Sequence, residues 1–252
     1  MSDFAKVYHR HLTKTVSPTI KKAKEILLDI FFPEICAACR NPLGKDAKDL
    51  GICLACLEAA EVKTAFTCPV CGARFAEGVK TCHVSASYRL AAASNYENDI
   101  VKGLIRELKY SRRTAYGRPL AALIAAHLKN VGFDLSDYAL LPMPLHPARE
   151  RERGFNQSAV ITEFLSEMTG MKIAPKDTLL RIRNTPSQAE LTREARLTNM
   201  AGSFSVKPGA RMPKHIILLD DVFTSGATVG AAVSALRSGG AQHVIAVVAA
   251  KA

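Results

Sequence analysis

Apolar residues in the second half of the chain fall into two alternating patterns. Short runs at Tyr138 to Met143, Leu179 to Ile182, Phe204 to Val206, Ile216 to Leu219 and His243 to Ala249 predict strands. Between and before them lie stripes at helical spacing. Ile100, Val101, Leu104, Ile105 and Leu108 form one, Leu120 to Leu128 a second, and Asn156 to Met168 and Thr228 to Leu236 two more. Strands alternating with helices predict a mainly parallel sheet, with ligands at the C-terminal ends of its strands. Four consecutive branched residues, Ile216 to Leu219, read as a strand buried on both faces. The first half reads differently. In residues 1–35 Ile20, Ala23, Leu27 and Phe31 share one face, which predicts a helical extension docked on its own protein. Residues 36–85 are rich in cysteine and turns, and the α/β pattern occupies 86–252.

The buried strand runs straight into Asp220, Asp221, Val222, Phe223, Thr224, Ser225, Gly226, Ala227 and Thr228, and then into an alanine-rich helix. That order sets backbone N–H groups and a helix N-terminus where an anion can sit, with Gly226 permitting close approach. Thr224, Ser225 and Thr228 can donate to phosphate oxygens. Asp220 and Asp221, expected in water at the loop's edge, can accept from sugar hydroxyls or hold Mg²⁺ through its waters. A strand end and a helix capped by Thr228 or Ser225 would explain a lone T-S-G equally well. The full string, apolar run, acidic pair and small-residue loop, favours a phosphate site.

All seven cysteines lie between residues 36 and 82. Cys36/Cys39 and Cys53/Cys56 are two C-x₂-C pairs with thirteen residues between them, a spacing that turns four thiolates onto one structural zinc. Four thiolates leave that ion no open position for catalysis. Cys68 and Cys71 form a third pair, and ten residues separate them from Cys82 and the adjacent His83. A symmetric partner for Cys82 would fall at Ser85. The spacing therefore admits either a second zinc held by Cys68, Cys71, Cys82 and His83, which needs an unusual local geometry, or a three-ligand or empty site.

The net charge of +11 is uneven: Lys102 to Lys129 holds seven basic residues against Glu107 alone. Such a surplus suits a polyanion, whether a pyrophosphate-bearing metabolite or nucleic acid. No aromatic platform of the kind that stacks single-stranded bases accompanies these residues in the sequence. With no apolar run near the ~20 residues of a membrane span and no cleavable leader, a cytoplasmic protein without a transmembrane segment is expected.

The string from Ile216 to Thr228 resembles the phosphoribosyl pyrophosphate (PRPP) motif of type I phosphoribosyltransferases. Joined to the cysteine module, it resembles in particular the ComF phosphoribosyltransferase-like proteins of bacteria, tied by name to competence and DNA uptake. Further stretches carry the likeness: Ile105 to Tyr110; Pro142 to His146 with Arg153 to Gln157; and Arg181, Arg183, Gln188, Leu191, Arg196 and Asn199. The chain departs at Ser85, where the family's second ribbon usually has cysteine. The resemblance implies a type I phosphoribosyltransferase fold with a small N-terminal zinc-ribbon module, and transfer of a phosphoribosyl group from Mg-PRPP to an unidentified acceptor. It links the protein with DNA uptake or nucleotide salvage. Asp220 and Asp221 would take the ribose hydroxyls and steady its reacting carbon, with residues 224–228 on the 5′-phosphate. A loop of Pro144, Leu145, His146 and Arg149 would meet the pyrophosphate, with Lys109, Arg153 and Asn156 beside it. Gln188 and Arg196 would belong to a hood over the substrate. His146 can equally cap a turn, and Arg149 to Arg153 can equally be a solvated helix face interleaved with Glu150 and Glu152. A PRPP sensor without turnover, or an accessory protein handling single-stranded DNA or docking on competence machinery, are the alternatives.

Overall fold

Ile216, Ile217, Leu218 and Leu219 are all buried in the computed structural model, which describes residues 34–75, 82–83, 85–132, 134–184, 200 and 202–252. Each such side chain contributes roughly 1.5–3 kcal/mol by leaving water. The strand they begin, β5 (His215–Phe223), lies inside a four-stranded parallel sheet with β1 (Arg89–Asn95), β2 (Ala139–Pro142) and β6 (His243–Lys251), ordered β1-β6-β5-β2. β5 is longer than its apolar run because β6 keeps pairing with it as far as Phe223 opposite Lys251. Asp220 and Asp221 therefore sit within the strand rather than beyond it. β2 leaves β5 after Leu219, where the Met143 N–H makes the last bond to the Leu219 carbonyl, 2.8 Å. Among the described residues the acidic pair therefore has a strand partner on the β6 side only.

Helices α3 (Asp99–Tyr110), α4 (Gly117–Val131) and α6 (Gln157–Thr169) cover one face, on which Ile217, Leu219, Ile245 and Val247 meet Leu104, Leu120 and Ile161. α7 (Ala227–Ser238) and an antiparallel pair, β3 (Leu179–Arg181) with β4 (Phe204–Val206), cover the other. A short helix, α5 (Pro147–Arg153), leads into α6.

The cysteine module, with α1 (Lys45–Lys48) and α2 (Leu54–Ala59), shares the first apolar cluster: Cys36, Ile52 and Cys56 pack together with the α/β residues. It also covers the sheet's edge. Thr67 and Leu90 exchange backbone bonds of 2.8 and 3.1 Å, and the Lys63 N–H donates to the Ala93 carbonyl at 2.8 Å. The backbone groups on the open side of β1 are thus paired. Residues 1–33, read as a helical extension, and 185–199, which hold Gln188 and Arg196, lie outside the described residues. No helix among the described residues is long and apolar enough to cross a membrane.

Candidate functional site

The end of β5 brings together residues from three helices. Asp221 is buried, 4 % exposed. Its Oδ2 lies 2.5 Å from Lys109 Nζ, from the last turn of α3. Both acids were expected in water; Asp221 is instead half of a shielded ion pair. Burial opposes the charge on Lys109, but attraction to Asp221 outweighs it and holds the ammonium above its usual range. Asp220 Oδ1 accepts from Ser158 Oγ and from the Asp221 N–H, both at 2.9 Å. Burial, with repulsion from Asp221 second, pushes its carboxyl up to about 7 despite those bonds. A carboxyl raised towards neutrality by burial and a neighbouring charge is a mark of functional sites.

Beyond Phe223 the backbone turns through Gly226, whose φ of +79° is left-handed. A Cβ there would lie 2.8 Å from Phe223 Cζ and 3.3 Å from Tyr88 Oη, so the turn itself requires glycine. Gly226, and not Thr228 or Ser225, is the N-cap of α7. Gly226 has no side chain to cap that end, and Ser225 Oγ accepts from the Ala227 N–H at 3.4 Å, beside the exposed Thr224 and the half-buried Thr228.

The loop after β2 starts beside this end of β5, at the Met143–Leu219 bond. Asn156 caps α6 through bonds to the Ser158 and Ala159 N–H groups and donates from Nδ2 to the Met143 carbonyl at 3.0 Å, fixing the loop's far end. His146 is a cap: its Nδ1 accepts from the Ala148 N–H at 3.2 Å at the start of α5. The sequence-predicted pyrophosphate residues divide between two cavities. Pro144, Leu145, His146 and Asn156 line one of about 450 Å³ that Arg181 also borders. Arg149 and Arg153 line the other, about 400 Å³, with Lys109, Tyr110 and Arg112. Arg153 donates to Gln157 Oε1 at 2.5 Å and so braces the α5–α6 corner. Tyr110 is 75 % exposed beside these bases, a ring the sequence reading overlooked because it ends a helix whose other face is apolar. Ser158 was also missed; 62 residues separate it from Asp220, and serine at a helix start reads only as a turn residue.

In the first cysteine cluster the sulfurs of Cys36, Cys39, Cys53 and Cys56 all lie within 4.8 Å of one another. Cys39 and Cys53 are 3.8 Å apart, matching the ~3.8 Å edge of a tetrahedron built on Zn–S bonds of about 2.3 Å. Burial disfavours the Cys36 thiolate, but N–H groups of Cys53, Cys39 and Ala38 outweigh it and bring the thiol down to about 6. The second cluster, Cys68, Cys71, Cys82 and His83, also closes within 4.8 Å. Cys82 Sγ lies 3.1 Å from His83 Nδ1, so adjacent residues do present both ligand atoms to one point. The two knuckles are copies of one turn. Arg40 donates its N–H to the Cys36 carbonyl at 3.0 Å and Gly72 to the Cys68 carbonyl at 2.9 Å, with φ of +65° and +74°. Both clusters fit structural zinc.

Residues 27–85 match the double zinc ribbon domain. Over 221 residues the chain is 29 % identical to the "DNA utilization protein YhgH" of Salmonella typhimurium, covering 84 % of this chain and 94 % of the relative. It is 29 % identical over 147 residues to the "Competence protein ComFC" of Streptococcus pneumoniae, 58 % of this chain and 61 % of the relative. With the ComFC of Bacillus subtilis it shares 25 % over 213 residues, 77 % and 85 % of the two chains. A parallel α/β sheet of the phosphoribosyltransferase type, led by a double zinc ribbon, defines the class. Within that class the double zinc ribbon and the kinship with the YhgH and ComFC proteins support a ComF-family assignment.

Proposed function

We propose that this protein binds Mg-PRPP at the C-terminal end of β5 and transfers its phosphoribosyl group to an acceptor, in the service of DNA uptake or utilisation. The observation that carries this reading is the Lys109–Asp221 pair beside Asp220, a few residues before a helix N-terminus that opens on Gly226. A pair serving stability alone has no need of a second carboxyl pushed towards neutrality at its side.

In this reading Asp220 accepts from the ribose hydroxyls and faces the carbon that develops positive charge, while Asp221 holds Lys109 beside it. The N–H groups opening α7 and the hydroxyls of Thr224, Ser225 and Thr228 hold the 5′-phosphate. Lys109 and Arg149, which line one cleft, take the pyrophosphate as its bond to the ribose breaks and the acceptor's nucleophile forms the new one. Mg²⁺ arriving with PRPP would neutralise the departing charge. The cavity bordered by Leu145, His146 and Arg181 offers the acceptor a place. The relatives' names, with "DNA utilization" and "Competence", support the biological setting.

Incubation of the purified protein with Mg-PRPP and a panel of bases and amines, following pyrophosphate release, tests turnover. Binding without release under every acceptor would favour the sensor. Calorimetry tests the two loops: Arg149→Ala should weaken PRPP at least tenfold and spare ribose 5-phosphate, while Ser225→Ala with Thr228→Ala should weaken both. Equal losses of both ligands in Arg149→Ala would show that this arginine does not meet the pyrophosphate.

A second reading rests on Tyr110, exposed among Lys109, Arg112 and Arg149. A ring flanked by phosphate-binding cations suits single-stranded DNA. A salt titration of binding tests it: a steep slope, with affinity reduced in Tyr110→Ala, supports the platform.

A further inference from the structure

A third cavity, about 500 Å³, opens at the opposite, N-terminal edge of the sheet, away from the acidic pair. Three rings meet there because three neighbouring strands begin in register. Ala139 lies opposite Ile216, which sets Tyr138 opposite His215, and His215 lies opposite His243. The Tyr138 and His215 ring centroids are 5.2 Å apart, and those of His215 and His243 4.9 Å apart, the latter pair stacked at 13°. On the fourth strand Arg89 pairs with Ile245, so the position opposite His243 belongs to Ser87, which has no ring. Arg237 Nη2 donates to the Ser87 carbonyl at 2.5 Å and holds the segment in place. The ladder thus stops at His243, an exposed residue that lines the cavity with Ser87.

We propose that this crevice is a nucleoside-binding site in which the base stacks on the His243 ring over Ser87. Parallel imidazoles at this spacing present a flat face, and planar heteroaromatic rings are the ligands that such faces favour. The lining carries two carboxylates, Asp134 and Asp137, against two guanidinium groups, Arg89 and Arg237. That balance gives no net attraction for a polyphosphate. It does offer acceptors for amino groups and sugar hydroxyls and donors for ring nitrogens and carbonyls. The volume falls within the range of small-molecule pockets. His215 and His243 do not form part of a cluster of three or more metal-ligating groups among the described residues, which separates this crevice from the zinc sites. The site is independent of the transferase reading.

The test titrates the full-length protein with adenosine, guanosine, cytidine and thymidine, by calorimetry and by the NMR shifts of the histidine ring protons. At least one nucleoside should bind and shift the His243 protons upfield. His243→Ala should weaken that binding about tenfold or more, and Ser87→Phe, which fills the slot, should abolish it. Asp220→Asn should leave it unchanged. The proposal is overturned if none of the four nucleosides binds, if both His243→Ala and Ser87→Phe bind like the wild type, or if the loss follows Asp220→Asn instead, which would move the site to the other edge.

Discussion

Asp220 and Asp221 are neighbours in sequence with opposite surroundings. Asp221 is buried and meets Lys109; Asp220 accepts from a hydroxyl and an amide while its neighbour's charge opposes its own. Asparagine at 221 would strand a largely shielded ammonium and incur part of the ~3–5 kcal/mol that breaking a buried pair costs. Position 220 is therefore the cleaner probe. Its carboxyl is raised above the unfolded value, so between about pH 4 and 7 the folded state holds a proton that the unfolded state has lost, and stability falls as pH rises through that window. Asp220→Asn should flatten the fall, measured by denaturant midpoints at pH 5 and pH 8. Ser158→Ala removes a bond that favours the charged form and should raise the carboxyl further, which carbon-13 titration of the aspartate side chains would detect. An unmoved titration would mean that Ser158 serves only the start of its helix.

Five of the strands announced themselves as apolar runs, but β1 did not. Its core, Leu90 to Ala93 with Ser94, is mostly alanine, a residue of weak strand preference that carries no periodic signal. Small side chains suit it because α4 packs directly above, a fact that only the assembled sheet reveals. The acidic pair, the small-residue loop and the cysteine pairs were legible because their chemistry depends on local spacing. Ser158, the burial of Asp221 and the exposure of Tyr110 were not, since each follows from where a distant element lands. Gly226 was expected to leave room for a phosphate; in the structure the left-handed turn and Phe223 demand glycine whether or not a phosphate comes near. The knuckle turns show the opposite choice. Gly72 adopts its left-handed conformation without strain, whereas Arg40 accepts it and sends Nη2 to Tyr116 Oη, 3.0 Å away. Arg40→Gly should relieve the turn yet lose this tie. Tyr116→Phe, which loses the tie alone, should lower the thermal midpoint, and the difference between the two variants measures what the left-handed arginine costs.

At the scale of the molecule the zinc module is not an appendage. Its cysteines enter the same apolar cluster as α3, α4 and the sheet, and Asn98, the cap of α3, donates from Nδ2 to the Ala59 carbonyl at 2.8 Å. Cys39→Ser should lower the zinc content by about one ion per chain and the melting temperature of the whole protein with it. Elemental analysis beside calorimetry separates the two effects. Unchanged zinc would sink the four-cysteine assignment, and an unchanged transition would mean that the shared cluster carries little stability.

The segment from Lys63 to Thr67 has a role that emerges only when many copies share a solution. Bonded to Ala93 and Leu90, it occupies a row of donors and acceptors that any other extended chain could use. Its hold depends on ribbons too small to keep their shape without metal. Chelation should therefore expose a sticky β edge before the helices melt, and light scattering should rise with protein concentration while helical circular dichroism persists. Zinc-loaded protein at the same concentration should scatter no more than before. The metal that shapes the ribbons would then also keep neighbouring molecules from joining their sheets.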